Sequence, residues 1–292
     1  MPDRLIPWVL RGAWVVLPFT LGPALAGALR QHSAQVQLVC ATSCWMLWAS
    51  VLVATLVPHP IGLTVLRCIA PAAAVGAAAS ISSGAPSALA SAAGAGSAAL
   101  VVVLAFLPQT GLLFVNGPAY PNERRFLLAV PGALLLGPVE LAWLAAVGAP
   151  VTAALLLATG QWIAGGIVVV VAGATTTLVG RALHGLSRRW VVFVPAGLVL
   201  HDPMSLADPV LFRRQVIETM GPAPATSDSL DLTQRAMGLA LELRLREKVP
   251  MARITPTHRH GEPGASARLL FTPTRPGAVL AEAATRRLRV AS

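Results

Sequence analysis

A chain of 292 residues, 55% hydrophobic and only 12% charged, with a mean hydropathy of +0.69, cannot be a single soluble globule, because soluble domains carry about 25% charged residues. The formal charge of +10 is unevenly spread: residues 1–180 hold six Arg against three acids (Asp3, Glu123, Glu140), while residues 181–292 hold 16 basic against nine acidic side chains. Two solvents follow, lipid for the first part and water for the second. Of the 22 basic residues 21 are Arg, Lys248 being the exception. This Arg usage, with abundant Ala, Gly and Pro, fits GC-rich coding. The basic tail therefore points to anionic lipid headgroups within about 8–10 Å of a membrane surface, not to nucleic acid.

The N-terminus has features of a signal peptide, with Pro2 to Arg11 followed by an apolar run and Ala24-Leu25-Ala26. Further apolar stretches follow at once and favour an uncleaved first helix. A membrane helix needs about 20 mostly apolar residues to cross about 30 Å of hydrocarbon. Six segments meet this, near 12–30, 37–57, 62–82, 87–108, 134–158 and 161–183. With the basic tail inside, an even number of spans puts both termini in the cytoplasm. Arg4, Arg11, Arg124, Arg125, Arg181, Arg188 and Arg189 then fall inside and Arg30 alone outside, as the positive-inside rule requires.

Within the spans, Gly166, Gly173 and Gly180 recur every seven residues and Ala88 to Ala99 is almost entirely Ala, Ser and Gly. Small residues allow helix backbones to approach closely in lipid; a backbone-lined substrate path is the sharper alternative. Trp8, Trp14, Trp162 and Trp190 sit near span ends as interfacial anchors, and Trp45, Trp48 and Trp143 lie deeper, as packing residues. Cys40, Cys44 and Cys68 have neither the number nor the spacing of a disulfide frame or a zinc site.

A charge inside a span is costly and marks a functional candidate. Arg67 and Glu140 each lie about one turn in from the cytoplasmic face, so they could pair, or each could snorkel separately to the interface. Between the fourth and fifth spans, the polar loop around Asn116, Tyr120, Glu123, Arg124 and Arg125 reads either as a docking surface for the tail or a partner, or as a topogenic Arg pair with turn residues.

The tail, residues 187–292, changes grammar. Trp190 to Leu200 forms two apolar strands around the turn Pro195-Ala196-Gly197. Residues 209–220 fit either a helix capped by Asp208 or a strand with Val210, Phe212 and Arg214 alternating. Leu239, Leu241, Leu243 and Leu245 alternate as a half-buried strand. Ala267 to Thr272 supplies another strand, and Pro276 opens a helix with Val279, Leu280, Ala283, Ala284 and Leu288 on one face. The expectation is an α-helical transmembrane bundle over 1–186 followed by a small α+β cytosolic domain over 187–292.

Strands closed by a C-terminal helix resemble bacterial pleckstrin-homology-like domains attached to membrane spans. The stretches 114–126 (FVNGPAYPNERRF), 187–203 (SRRWVVFVPAGLVLHDP) and 271–277 (FTPTRPG) resemble uncharacterised actinobacterial multi-pass membrane proteins. The resemblance implies architecture and carries no activity to any residue.

No P-loop, dinucleotide-binding Gly turn, HExxH or GxSxG is present. His258-Arg259-His260 lies in a Thr/Pro/Gly-rich loop with no further ligands nearby, and His201-Asp202 reads as the turn after a strand, not as an acid–base pair. No cofactor is called for. The expected function is a non-enzymatic membrane scaffold or regulator whose cytosolic domain binds a protein partner or the inner leaflet. A small transporter or channel is the alternative, with Arg67, Glu140 and Thr175-Thr176-Thr177 along a polar path. A membrane-embedded enzyme comes third, because Glu140 is the sole intramembrane acid.

Overall fold

The computed structural model describes residues 2–84, 86–224, 226–255, 257–258 and 260–291. Two compact units emerge, one of residues 1–117 with 140–184, the other of residues 118–139 with 185–292.

The first unit is helical: α1 (Pro2–Thr20), α2 (Gly22–Leu29), α3 (Ala34–Leu56), α4 (Pro60–Ser82), α5 (Ala88–Phe106), α6 (Pro108–Asn116), α7 (Pro138–Ala158) and α8 (Trp162–Leu186). With α1 and α2 taken as one run, six of these stretches are long and apolar enough to cross a membrane, as the composition requires. Local chemistry sets their limits. Ser33 accepts from the Val36 amide and Ser87 from the Ala90 amide, satisfying donors that a helix start leaves open. Pro60 and Pro108 open α4 and α6, where a missing N–H costs nothing.

α1, α4 and α5 form the centre of this unit, each touching four other helices. Close approach is bought by glycine at Gly94, where a Cβ would lie 3.2 Å from the Leu21 side chain, and at Gly62, wedged 3.1 Å from both Ala54 and Phe114. The expected glycine stripe of α8 does not serve this purpose: a Cβ at Gly166, Gly173 or Gly180 would meet nothing within 4 Å. Trp14 also departs from the interfacial role. It is 1% exposed, and its indole donates to the Trp48 carbonyl while that of Trp48 donates to the Trp14 carbonyl, both at 2.9 Å. The exchange satisfies two indole N–H groups that lipid cannot. Trp8 and Trp162 remain 68% and 71% exposed, as headgroup anchors would be.

The second unit is α+β. One antiparallel sheet has the order β1 (Arg124–Leu127), β2 (Trp190–Val194), β3 (Gly197–His201) and β4 (Val210–Arg213). A second, mixed sheet has the order β5-β7-β8-β6, from β5 (Ile217–Pro222), β6 (Leu230–Asp231), β7 (Leu241–Arg253) and β8 (Glu262–Phe271). Helix α9 (Pro276–Thr285) packs on β5. Alternation places Val191, Phe193, Leu198, Leu200 and Phe212 in one part of the core and Leu241, Leu243, Leu269 and Phe271 in another, all essentially unexposed. Gly197, with φ +151°, turns β2 into β3 so tightly that a Cβ would lie 2.1 Å from the Phe212 carbonyl oxygen.

Two local expectations resolve differently. Residues 209–220 form neither one helix nor one strand, but β4 and β5 around a turn closed by Val216 N–H donating to Arg213 O. The unit also does not start at residue 187. The loop 118–139 belongs to it and supplies β1, whose four residues are too few to show a period in the sequence. The hairpin α7–α8 is thus inserted between two hydrogen-bonded neighbours, since Leu127 pairs with Trp190 and Arg124 with Phe193.

Candidate functional site

Three segments of the sheet unit meet at a single buried side chain. Arg189, three residues after the end of α8, is 1% exposed. Its Nε donates to Asp202 Oδ1 at 2.7 Å, its Nη2 to Asp202 Oδ2 at 2.8 Å and its Nη1 to the Ala129 carbonyl at 2.9 Å. The remaining capacity of the carboxylate is filled by the Met204 amide at 3.1 Å and the Ser205 hydroxyl at 2.8 Å. A planar guanidinium matched to a carboxylate in this bidentate way is among the stronger polar contacts, and removing one partner would strand a buried charge. The return strand after α8, the strand leading to α7 and the β3–β4 connection are therefore fastened together.

A fourth element joins through Ser205, whose oxygen accepts from Gln234 Nε2 at 3.1 Å. The loop 232–239 is strained and over-determined. Gln234 and Arg235 both take left-handed backbone, φ +54° and +53°, at roughly 1–2 kcal/mol each for residues with a Cβ. Asp231 Oδ1 accepts from the Thr233 amide at 2.8 Å, Thr233 Oγ1 accepts from the Arg235 amide at 3.2 Å, and the Arg235 carbonyl accepts from Gly132 N–H at 3.3 Å. Held in this way, the loop leaves Met237 72% and Leu239 50% exposed.

Sequence reasoning assigned Arg189 only a topogenic role and Asp202 only a turn. The turn is present, with Ser205 N–H donating to Asp202 O. What the sequence could not show is that residues 13 apart converge across a β-hairpin. A weak signal existed, in that Arg189 precedes a strand whose partner ends just before Asp202. His201 points elsewhere: its ring stacks on Trp190 at 5.3 Å and its Nδ1 lies 2.7 Å from the Arg188 carbonyl. Trp190 is thereby a residue of the sheet, with the Arg125 guanidinium over its ring at 5.5 Å from the ring centre.

The polar loop residues divide. Asn116 ends α6, its amide donating to the Leu112 carbonyl at 2.8 Å. Glu123 and Arg125 form an ion pair at 3.1 Å, and Arg124 and Arg125 are the first residues of β1. Tyr120 is 74% exposed. The segment from 124 to 127 is thus a strand of the sheet unit itself.

Arg67 makes its contacts on α5. Its Nε donates to the Ala105 carbonyl at 3.4 Å and its guanidinium lies 5.6 Å from the centre of the Phe106 ring, whereas Glu140 is an exposed residue in the first turn of α7. The acceptor explains the geometry. Pro108 has no N–H, which leaves the last carbonyls of α5 short of donors; Thr110 Oγ1 serves Leu104 at 2.7 Å and Arg67 serves Ala105. Arg11 repeats the device, donating from Nε and Nη2 to the Thr55 carbonyl at 3.1 and 2.8 Å where Pro58 ends α3. Both arginines cap the negative ends of neighbouring helices.

Two further features complete the inventory. An apolar cavity of about 420 Å³ lies beside Trp14, Leu17, Leu25, Trp45, Trp48 and Ala72, with the Trp14 and Trp48 indoles already satisfied by one another's backbone. His258 Nδ1 is 3.1 Å from the Thr257 hydroxyl, and Arg259 lies outside the described residues. Among the described residues no three His, Cys, Asp or Glu side chains converge.

Comparison with protein-family models, curated proteins and solved structures gave no match. The reading of this chain therefore rests on its own residues.

In the second sheet Glu242, 5% exposed, accepts from Ser227 and Ser229 hydroxyls at 2.8 and 2.6 Å and from Arg244 Nε at 2.5 Å. Burial by itself raises its carboxyl pKa, but the hydrogen bonds from Ser229, Arg244 and Ser227 and the Arg244 charge outweigh it, and the net shift is downward. A carboxylate held below its unfolded value, about 4.3, contributes stability above that value and loses it as pH falls through the folded pKa. Thermal melts of the full chain in detergent should show stability falling below about pH 4.3, with a shallower fall in Glu242→Gln. An unchanged slope in the variant would show that Glu242 contributes nothing to the acid response.

Proposed function

We propose that the protein is a non-enzymatic membrane scaffold or regulator whose sheet unit is a cytosolic domain seated at the inner leaflet. The observation that carries this reading is the insertion of α7–α8 between β1 and β2, with the segment just after β1 bonded to Arg189, just before β2. A helical hairpin that leaves one strand of a sheet and returns to its hydrogen-bonded neighbour suits a platform better than a binding module on a single flexible tether. The capping roles of Arg11 and Arg67 give the buried charges a structural task and weaken the channel reading. The Arg distribution along the chain supports cytoplasmic termini.

Cysteine labelling in intact cells tests the orientation, with Cys40, Cys44 and Cys68 first replaced by Ala. A cysteine at Ser82 or Ser83 should react with an impermeant maleimide from outside, and one at Ser227 or Ser266 only after permeabilisation. The reverse pattern overturns the topology. Planar-bilayer recording of the purified protein tests the role. No unitary conductance is expected, and conductance steps altered by Arg67→Gln would establish the channel alternative.

A further inference from the structure

We propose that the 232–239 loop is a membrane wedge: Met237 and Leu239 enter the headgroup–acyl boundary of the leaflet in which α7 begins, and Arg235 binds lipid phosphate there. This rests on the reading of the sheet unit as a domain seated at the inner leaflet, and it names the loop that reaches the lipid.

Position comes first. The loop is fixed to the strand that leads into the bilayer, through Gly132 N–H on the Arg235 carbonyl and the bridge between Pro131 and Ala236. From Gly132 the chain runs through a 3-10 turn, Gly132–Leu135, to α7 at Pro138. Fully extended, those residues could span at most about 20 Å, and a 3-10 turn shortens the path further. Leu136, next to the start of the span, is 86% exposed in the unit. The wedge thus continues a surface that the chain itself delivers to the membrane.

Chemistry and rigidity agree with position. Met237 and Leu239, 72% and 50% exposed, flank Gly238, whose φ of +123° lets the chain turn between them. Apolar side chains gain nothing by facing water and gain on entering lipid. Exposed Arg235 adds a guanidinium that matches phosphate geometry, and residues 232–239 contain no acid to repel an anionic headgroup. The left-handed pair Gln234-Arg235 is not used to bury anything. It is stabilised from beneath, by Gln234 on Ser205 and Ser205 on the Arg189–Asp202 pair. Strain stored in a loop that presents Arg235, Met237 and Leu239 to the outside is strain spent on preorganisation.

The test uses the full chain in vesicles of phosphatidylcholine, with or without phosphatidylglycerol, and single cysteines carrying an environment-sensitive fluorophore in the background lacking Cys40, Cys44 and Cys68. Met237→Cys is compared with Leu136→Cys, at the root of α7, and with Ala196→Cys, exposed in the β2–β3 turn at the far end of β2 from the α8 root. Probes at 237 and 136 are expected to be several-fold less accessible to iodide than the probe at 196 and to be quenched by spin-labelled lipid. Arg235→Gln should reduce the gain from phosphatidylglycerol at 237. If 237 behaves like 196 while 136 remains protected, the wedge is wrong and the seated domain stands. Aqueous behaviour at both 136 and 237 removes the seated domain as well. Equal protection at all three positions also overturns a wedge confined to this loop.

Discussion

Replacing Arg189 with Leu is expected to destabilise the sheet unit by about 3–5 kcal/mol, because Asp202 would remain buried as an uncompensated carboxylate. Asp202→Leu should cost a similar amount, leaving the guanidinium buried without its partner. The double variant should cost less than the sum of the two, but more than nothing. Arg189 also serves the Ala129 carbonyl, and Asp202 also serves the Met204 amide and Ser205 hydroxyl, so an apolar pair leaves those groups unmet. Hydrogen exchange of the full chain in detergent reads this directly. Amides of β2 and β3 should lose roughly two to three orders of magnitude of protection in either single variant, at about 1.4 kcal/mol per tenfold. Amides of α4 and α5 serve as the internal reference. A loss below about tenfold, with the wild-type sheet fully protected, would show that the pair is dispensable.

The second large effect is expected at Arg11. Arg11→Leu removes both donors from the Thr55 carbonyl at the end of α3, and an unsatisfied carbonyl at membrane depth has no water to turn to. The expected loss is about 1–3 kcal/mol, visible as a lower midpoint for unfolding of the bundle in a mild detergent. Arg67→Leu should cost less, because it gives up one contact at 3.4 Å and also relieves the expense of a charge in a span. Glu140→Leu should combine additively with Arg67→Leu, since the Arg67 guanidinium donates to the Ala105 carbonyl and lies over the Phe106 ring. A measured coupling beyond about 0.5 kcal/mol would restore their direct interaction.

Much of the architecture was legible in the sequence. Long apolar runs bounded by Ser33, Ser87, Pro60 and Pro108 had few alternatives to spanning helices, and six appear. Alternation over Leu241, Leu243 and Leu245 and the helical face of Val279 and Ala283 survived because each period is long enough to choose one core-facing side. The acceptor that Arg67 uses was not legible in the sequence. Similar depth along the membrane normal does not determine azimuth around the bundle, and Arg67 donates to the Ala105 carbonyl in the last turn of α5.

What the sequence by itself determined is the partition between lipid and water, the number of spans and the α+β character of the tail, since these follow from composition and local periodicity. The tertiary structure alone decided that Arg124 to Leu127 is the first strand of the sheet unit, that α7–α8 interrupts that unit, and that Arg189 finds Asp202 while Gln234 reaches Ser205. Each depends on pairing between residues separated by a span or a hairpin. Such contacts leave no local period: a four-residue strand looks like a loop, and a buried arginine beside a membrane helix looks like a topogenic one, until the partner strand fixes the register.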